Sequence, residues 1–189
     1  DGYAWVIDPI DGTNNFVRGA DNFCSMVALL WKGVPLQCWI WLPVPKMLYY
    51  AAAGGGAHRI CYNNSTILKI GNRPVDPHVM SGSGNTKGLE EPLKSRVLDK
   101  MRAMSGRHYV GSAGILATRI AEGREDFLIH SRCTPWDHAP VDLLCREAGG
   151  HTAMVEDSKP FNAAYDGPIM AVSSLTGWQN LCHYLWCDD

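Results

Sequence analysis

The chain changes its periodicity once, near residue 88, and that change restricts the folds open to it. Before it, short apolar runs rich in aromatic and β-branched residues are separated by turn residues. Tyr3 to Ile7 predicts a buried strand ending at Asp8. Residues 24–31 and 36–42 predict two more, joined by Lys32-Gly33-Val34-Pro35, with Pro43-Val44-Pro45 ending the second. Residues 47–53 and 57–62, flanking Gly54-Gly55-Gly56, complete an antiparallel meander. The polar tract 63–76 reads as a surface excursion, and the next strand is expected at 78–81. After the change, Leu89, Leu93, Val97 and Met101 recur every four residues, one helical stripe with Pro92 at an early position. A short strand at 108–110 follows, then a helix capped by Ser112 that runs to about Glu122, with Gly123 past its end. A strand at 126–129, a helix over 138–148, a strand at 168–173 and a last helix opened by Ser174 complete the chain. Strands first, then strands alternating with helices, predict layered α/β (α+β) architecture in a single domain over 1–189. The antiparallel part is expected in 1–88 and the alternating part in 89–189.

Composition enters as a set of exclusions. A chain of 189 residues buries roughly 70% of its unfolded surface, so a core forms without disulfides. The formal net charge is −2. It conceals a split, with 7 basic and 5 acidic groups in 1–88 and 10 and 14 in 89–189. There is no basic excess to predict a nucleic-acid partner. The most apolar run, Val34 to Ala57, is interrupted by Pro35, Pro43, Pro45 and Lys46, so no membrane span is expected. Seven scattered cysteines, with no CxxC pair, predict buried reduced thiols and a cytoplasmic protein. The chain starts at Asp1 rather than Met and enters a dense motif within a few residues, so its true N-terminus is expected upstream.

Two segments carry chemistry. In Trp5-Val-Ile-Asp8-Pro-Ile-Asp11-Gly-Thr13-Asn-Asn-Phe16, two carboxylates three residues apart follow a strand. Pro9 fixes φ between them and Gly12 permits a tight turn, so both can aim at one point. Paired carboxylates there repel, and hard oxygen ligands suit Mg²⁺ as the compensating cation. The Gly12 and Thr13 amides and the Thr13 hydroxyl are placed to hold a phosphate oxygen. Read on spacing alone, the same residues also fit a loop with two solvated or capping aspartates. In Pro135-Trp136-Asp137-His138-Ala139-Pro140, Asp137 opens a helix. It reads either as an N-cap, worth about 1 kcal/mol, or as a third metal carboxylate beside a helix N-terminus that favours anions.

Together the segments resemble the inositol monophosphatase family of Mg²⁺-dependent, lithium-sensitive phosphatases. That family shows D-P-[IL]-D-G-T-x-N-F after a strand and W-D-x-A before a helix ending E-A-G-G. Here these are Asp8 to Phe16 and Trp136 to Gly150, and Gly33-Val-Pro35, Gly54-Gly-Gly-Ala57 and Gly111-Ser-Ala113 also fall where the family has them. The resemblance implies an αβαβα sandwich whose N-terminal helices and first hairpin are missing here. It implies two or three Mg²⁺ ions on Asp8, Asp11, Asp137 and the Ile10 carbonyl, with Asp8 bridging two. Gly12 and Thr13 would hold the phosphate. Catalysis would rest on Asp8, Asp11, Thr13 and Asp137. Substrate contacts would come from Asp11, Asp137, Gly111, Ser112, Ala113 and the residue seven before Asp137. Inositol-hydrolysing members place a glutamate there; this chain has His130, which puts inositol specificity in doubt.

The family's Glu-Glu motif lies upstream of Asp-Pro-Ile-Asp, so residues 1–189 alone are expected to be inactive or nearly so. The implied reaction is hydrolysis of a small-molecule phosphate monoester, an inositol phosphate or related polyol or sugar phosphate, by metal-activated water. Rival activities within the family are those on fructose 1,6-bisphosphate, 3′-phosphoadenosine nucleotides and histidinol phosphate. The absence of an obvious basic cluster beside the pocket disfavours bisphosphates. A non-catalytic metal- or phosphate-binding member is the rival from another class. Cys133 lacks the Cys-x5-Arg loop of thiol phosphatases. Trp39, Trp41, Tyr49 and Tyr50 are expected as core or interface aromatics, and the resemblance implies that an exposed subset serves a homodimer. Asp142 is expected to be solvated, and Asp188 and Asp189 to be tail charges.

Overall fold

The computed structural model describes residues 2–187; the tail charges expected at Asp188 and Asp189 lie outside the described residues. Six strands form the first sheet in chain order: β1 (Tyr3–Asp11), β2 (Cys24–Trp31), β3 (Val34–Leu42), β4 (Met47–Ala52), β5 (Gly56–Cys61) and β6 (Asn64–Leu68). All its pairings are antiparallel. A short helix, α1 (Thr13–Val17), sits between β1 and β2. The second sheet contains β7 (Ser81–Asn85), β8 (Gly106–Arg107), β9 (Phe127–His130), β10 (His151–Met154) and β11 (Ile169–Val172), in the order β10-β11-β9-β7-β8. β7 is parallel to both β8 and β9, and the other pairings are antiparallel. Four further helices are α2 (Leu93–Arg102), α3 (Ala113–Ala121), α4 (Pro135–Glu147) and α5 (Leu175–Trp186).

Side-chain alternation sets the layers. Cys24, Met26, Ala28 and Leu30 point inward along β2, as do Cys38, Ile40 and Leu42 along β3 and Tyr49 and Ala51 along β4. Each large apolar side chain buried this way contributes about 1.5–3 kcal/mol. They pack on α3 and α4, whose other sides meet the second sheet in one continuous core. A second core lies between the far face of that sheet and α2 with α5, and includes Val97, Met101, Phe127, Ile129, Trp178 and Leu185. The layers therefore run sheet, helices, sheet, helices, which is the sandwich expected. The helices and hairpin expected upstream of Asp1 lie outside the described residues. No helix among the described residues is long and apolar enough to cross a membrane.

Several elements differ from the sequence reading. β1 continues past Asp8 to Asp11 through an irregular register against β2. It is also an edge strand rather than a buried one, with Tyr3, Trp5 and Ile7 59–71% exposed. The tract 63–76 contains β6, whose polar, exposed residues 64–67 carry no hydrophobic signal. β7 lies at 81–85 and belongs to the second sheet, so the division between sheets falls between Leu68 and Ser81. β8 precedes the expected 108–110, α4 starts three residues before 138, and β10 had no strand signal. Asp142 is not solvated: α4 lies between the sheets, and Asp142 is 1% exposed with its carboxylate forked by Arg146 one turn on, at 3.1 Å. On the outer face of the first sheet, Trp5, Trp39, Tyr50 and His58 form a ladder with ring centroids 5.6–6.3 Å apart. Tyr49 points inward and is fully buried, its hydroxyl donating to Glu122 at 2.7 Å.

Candidate active site

The C-terminal end of β1 meets the N-termini of α3 and α4, and the candidate site lies where they converge. Pro9 has no N–H, and its carbonyl accepts from Ser25 Oγ at 2.7 Å. The Ile10 amide turns back to Asp8 Oδ1 at 3.0 Å. Gly12 follows with φ +83°, and a Cβ there would lie 2.8 Å from the Asn22 carbonyl oxygen. Only glycine meets both demands, so the chain reverses directly after Asp11 and enters α1. Thr13 Oγ1 donates to the Ile10 carbonyl at 2.9 Å.

Asp11 is the best anchored of the acids and is only 9% exposed. Its Oδ2 accepts from Ser112 Oγ at 2.5 Å, from the Gly114 amide at 2.8 Å and from Cys24 Sγ at 3.5 Å. Ser112 is also the N-cap of α3, where its Oγ accepts from the Ile115 amide at 3.2 Å. The helix N-terminus thus orients Asp11. Asp137 stands in the first turn of α4. It is not the N-cap, because Thr134 holds that position and its hydroxyl donates to Asp137 Oδ2 at 2.6 Å. The cap reading of Asp137 is therefore corrected: the helix begins at Pro135, two residues earlier.

Asp8, Asp11 and Asp137 each offer an oxygen, and these oxygens lie within 4.8 Å of one another. No Lys or Arg is paired with any of the three among the described residues. Burial raises the Asp8 carboxyl to about 6, helped by a hydrogen bond to Asp137 and by the charges of Asp11 and Asp137. Burial raises Asp137 as well, against the opposing hydrogen bond from Thr134. Carboxylates that resist ionising together, with oxygen donors only and no protein cation, fit a hard divalent ion. The chemistry of the donor set therefore accommodates Mg²⁺.

Beside the acids lies a cavity of about 200 Å³ that includes Asp11, Gly111, Ser112, Ala113 and His130 in its walls. His130, at the end of β9, is partly buried. Its Nδ1 lies 2.9 Å from Nε2 of His138, which is 1% exposed. Burial and then repulsion from His138 push His130 down to about 3, and burial pushes His138 down to about 4, so both stay neutral. Cys133 is buried and its thiol is pushed up to about 12, which removes it as a nucleophile. The support around the acids was not anticipated from sequence: Cys24 and Gly114 on Asp11, Thr134 on Asp137, and His138 behind His130. Residues 13 and more than 100 apart, as Cys24 and Gly114 are from Asp11, leave no local pattern. Ser112 alone gave a signal, as a helix cap.

The inositol monophosphatase family model matches residues 1–182. An inositol-1-monophosphatase of Rhizobium meliloti (strain 1021) is 32% identical over 166 residues, covering 85% of this chain and 60% of that protein. A putative Nus factor SuhB of Neisseria meningitidis serogroup B is 30% identical over 151 residues, 78% of this chain and 56% of that protein. The chain thus spans less than two thirds of the length of these relatives. The solved structure of inositol monophosphatase from Anabaena (Nostoc) sp. PCC 7120 superposes with a TM-score of 0.82 at 29% identity, over 98% of this chain and 74% of the other.

Proposed function

The chain belongs to the inositol monophosphatase family, and from that membership we propose that it hydrolyses phosphate monoesters of small polyols or sugars, inositol monophosphate among them. The observation that carries this reading is the convergence of Asp8, Asp11 and Asp137 within 4.8 Å without a protein cation to neutralise them. Asp8, Asp11, Asp137 and the Ile10 carbonyl would hold two or three Mg²⁺ ions. The Ile10 carbonyl already accepts from Thr13 and keeps a second lone pair. Bound Mg²⁺ supplies a water of lowered pKa and neutralises charge on the phosphoryl group.

The protein's own part is orientation. Ser112, Gly114 and Cys24 fix one oxygen of Asp11 and leave Oδ1 directed elsewhere. Thr134 does the same for Asp137 through Oδ2. The first amides of α1, following Gly12, have no acceptor within their helix and suit a phosphoryl oxygen. The alcohol portion would occupy the cavity beside Gly111, Ser112, Ala113 and His130. A cytoplasmic setting, supported by the free thiols, and homodimer formation through the exposed aromatic sheet face complete the proposal.

The test is phosphate release from inositol 1-phosphate by the protein that carries this sequence. Release should require Mg²⁺, be inhibited by lithium, and fall at least about a hundredfold in Asp11→Asn. Undiminished release by Asp11→Asn, or release in excess chelator, would refute the reading.

A further inference from the structure

One side of the same cavity, where Asn85 of β7 lies beside His130 of β9, has a one-sided chemistry. Its polar residues beyond Asp11 include Ser83, Asn85, Lys87, Tyr109 and His130. Asp11 is the sole carboxylate in the wall, and its Oδ2 is saturated by Ser112, Gly114 and Cys24. Lys87 is exposed and has no ion partner among the described residues. Asn85 accepts from Ser131 Oγ through Oδ1 at 3.0 Å, which leaves its NH₂ as the available group.

His130 adds a donor, through a relay fixed by the backbone. The Thr134 amide points at His138 Nδ1 at 2.9 Å. An amide proton cannot be removed, and this one has no other acceptor among the described residues. The Thr134 carbonyl is equally close to Nδ1 and also accepts the His138 amide at 2.9 Å, but a proton on Nδ1 would confront the Thr134 N–H head on. Nδ1 of His138 is therefore the acceptor, which puts the proton of neutral His138 on Nε2. That proton is donated to His130 Nδ1 across 2.9 Å. Neutral His130 then carries its own proton on Nε2, the nitrogen with no partner among the described residues, on a ring that lines the cavity.

Resting on the phosphatase reading above, we propose that this side of the cavity is an anion subsite, formed by Lys87, the Asn85 amide and the Nε2–H of His130, which selects phosphate monoesters whose alcohol carries a second anionic group. A second phosphate or a carboxylate satisfies the same donors. The sequence reading disfavours bisphosphates for want of a basic cluster beside the pocket; on this proposal a single lysine, Lys87, far in sequence from both metal motifs, supplies the charge. A neutral polyol offers the ammonium and the two other donors only hydroxyls, which are weaker acceptors than an anion's oxygens.

The experiment compares skeleton-matched pairs: inositol 1-phosphate against inositol 1,4-bisphosphate, and glycerol 2-phosphate against 2-phosphoglycerate. With Mg²⁺, kcat/KM should favour the member with the extra anion by about tenfold or more, mainly through KM. Lys87→Gln should remove most of that preference and Lys87→Arg should retain it. His130→Glu should invert it. Preference for both pairs indicates a general anion subsite, and preference for one identifies phosphate or carboxylate as its occupant. Equal or reversed preference in both pairs overturns the proposal. Two readouts do not depend on turnover. Calorimetric titration with inositol 1,4-bisphosphate should show binding weakened by Lys87→Gln, and long-range ¹H–¹⁵N spectra should show His130 protonated at Nε2. Binding indifferent to Lys87, or a proton on His130 Nδ1, overturns the subsite even in an active enzyme. Binding that follows Lys87 without turnover of any ester refutes the phosphatase reading and leaves the subsite standing.

Discussion

At Asp11, three donors from two separate elements converge on Oδ2, and the consequence is directional. Ser112 links two functions through one hydroxyl: it caps α3 and it orients Asp11. Ser112→Ala should therefore lower stability by about 1 kcal/mol through the lost cap. It should also weaken Mg²⁺ binding by roughly 10–100-fold, as removal of a ligand's supporting partner does. Chemical denaturation and calorimetry on the same variant read the two effects separately. A stability loss with unchanged Mg²⁺ affinity would show that Asp11 is held without Ser112. The acids themselves were legible from sequence, because Asp-Pro-Ile-Asp-Gly-Thr and Trp-Asp are local patterns. Their supports were not, since Cys24, Gly114 and Thr134 are brought in by tertiary contacts and by a helix start misread by a few residues.

Among the elements, α4 has the most demands on it. It is buried between two sheets, carries Asp137 at one end, and at the other its Glu147 clasps the β4–β5 hairpin. The Glu147 carboxylate accepts the amides of Gly54 and Gly56, each at 2.9 Å. This gives a physical reason for Gly54-Gly-Gly56 and Glu147 to occur in one chain: Gly54 and Gly56 take φ +73° and +80° and turn their amides onto one carboxylate. Glu147→Ala should cost about 1–3 kcal/mol, with hydrogen exchange accelerating at the hairpin first. Uniform destabilisation without local exchange at 54–56 would contradict the clasp.

Asp142, in the middle of the same helix, gives a pH signature. Burial raises its carboxyl to about 6 against the lowering pull of Arg146. The folded state thus binds the proton more tightly than the unfolded chain. Its contribution to stability is complete below pH 4 and is lost as pH rises through about 6. In chelator, the melting temperature of Asp142→Asn relative to the natural protein should rise between pH 4 and pH 7. A difference that does not vary with pH would refute this assignment. Sequence periodicity left Asp142 on the solvent side because α4 is treated by such patterns as having one wet face, whereas this helix has none at its centre.

For the whole molecule, the periodicity change gave the layered α/β class and the family resemblance gave the order of layers, and the error lay in where the sheets divide. β6 is polar and β7 is Ser-Gly-Ser-Gly-Asn, so neither announces itself by apolar alternation. β7 contains glycine because there is no room for more: a Cβ on Gly82 would lie 2.2 Å from the Phe127 carbonyl oxygen. That close packing brings the ends of β7 and β9, with Asn85 and His130, beside the acids carried by β1 and α4. The sandwich thereby gathers the carboxylates of β1 and α4 and the strand ends of the second sheet at one rim. The most direct test of that arrangement is a calorimetric titration of Mg²⁺, with inorganic phosphate present, into the protein that carries this sequence and into its Asp137→Asn variant. The arrangement predicts saturable Mg²⁺ binding that Asp137→Asn weakens by at least about tenfold. Mg²⁺ binding of equal strength in both proteins, or none in either, would contradict it.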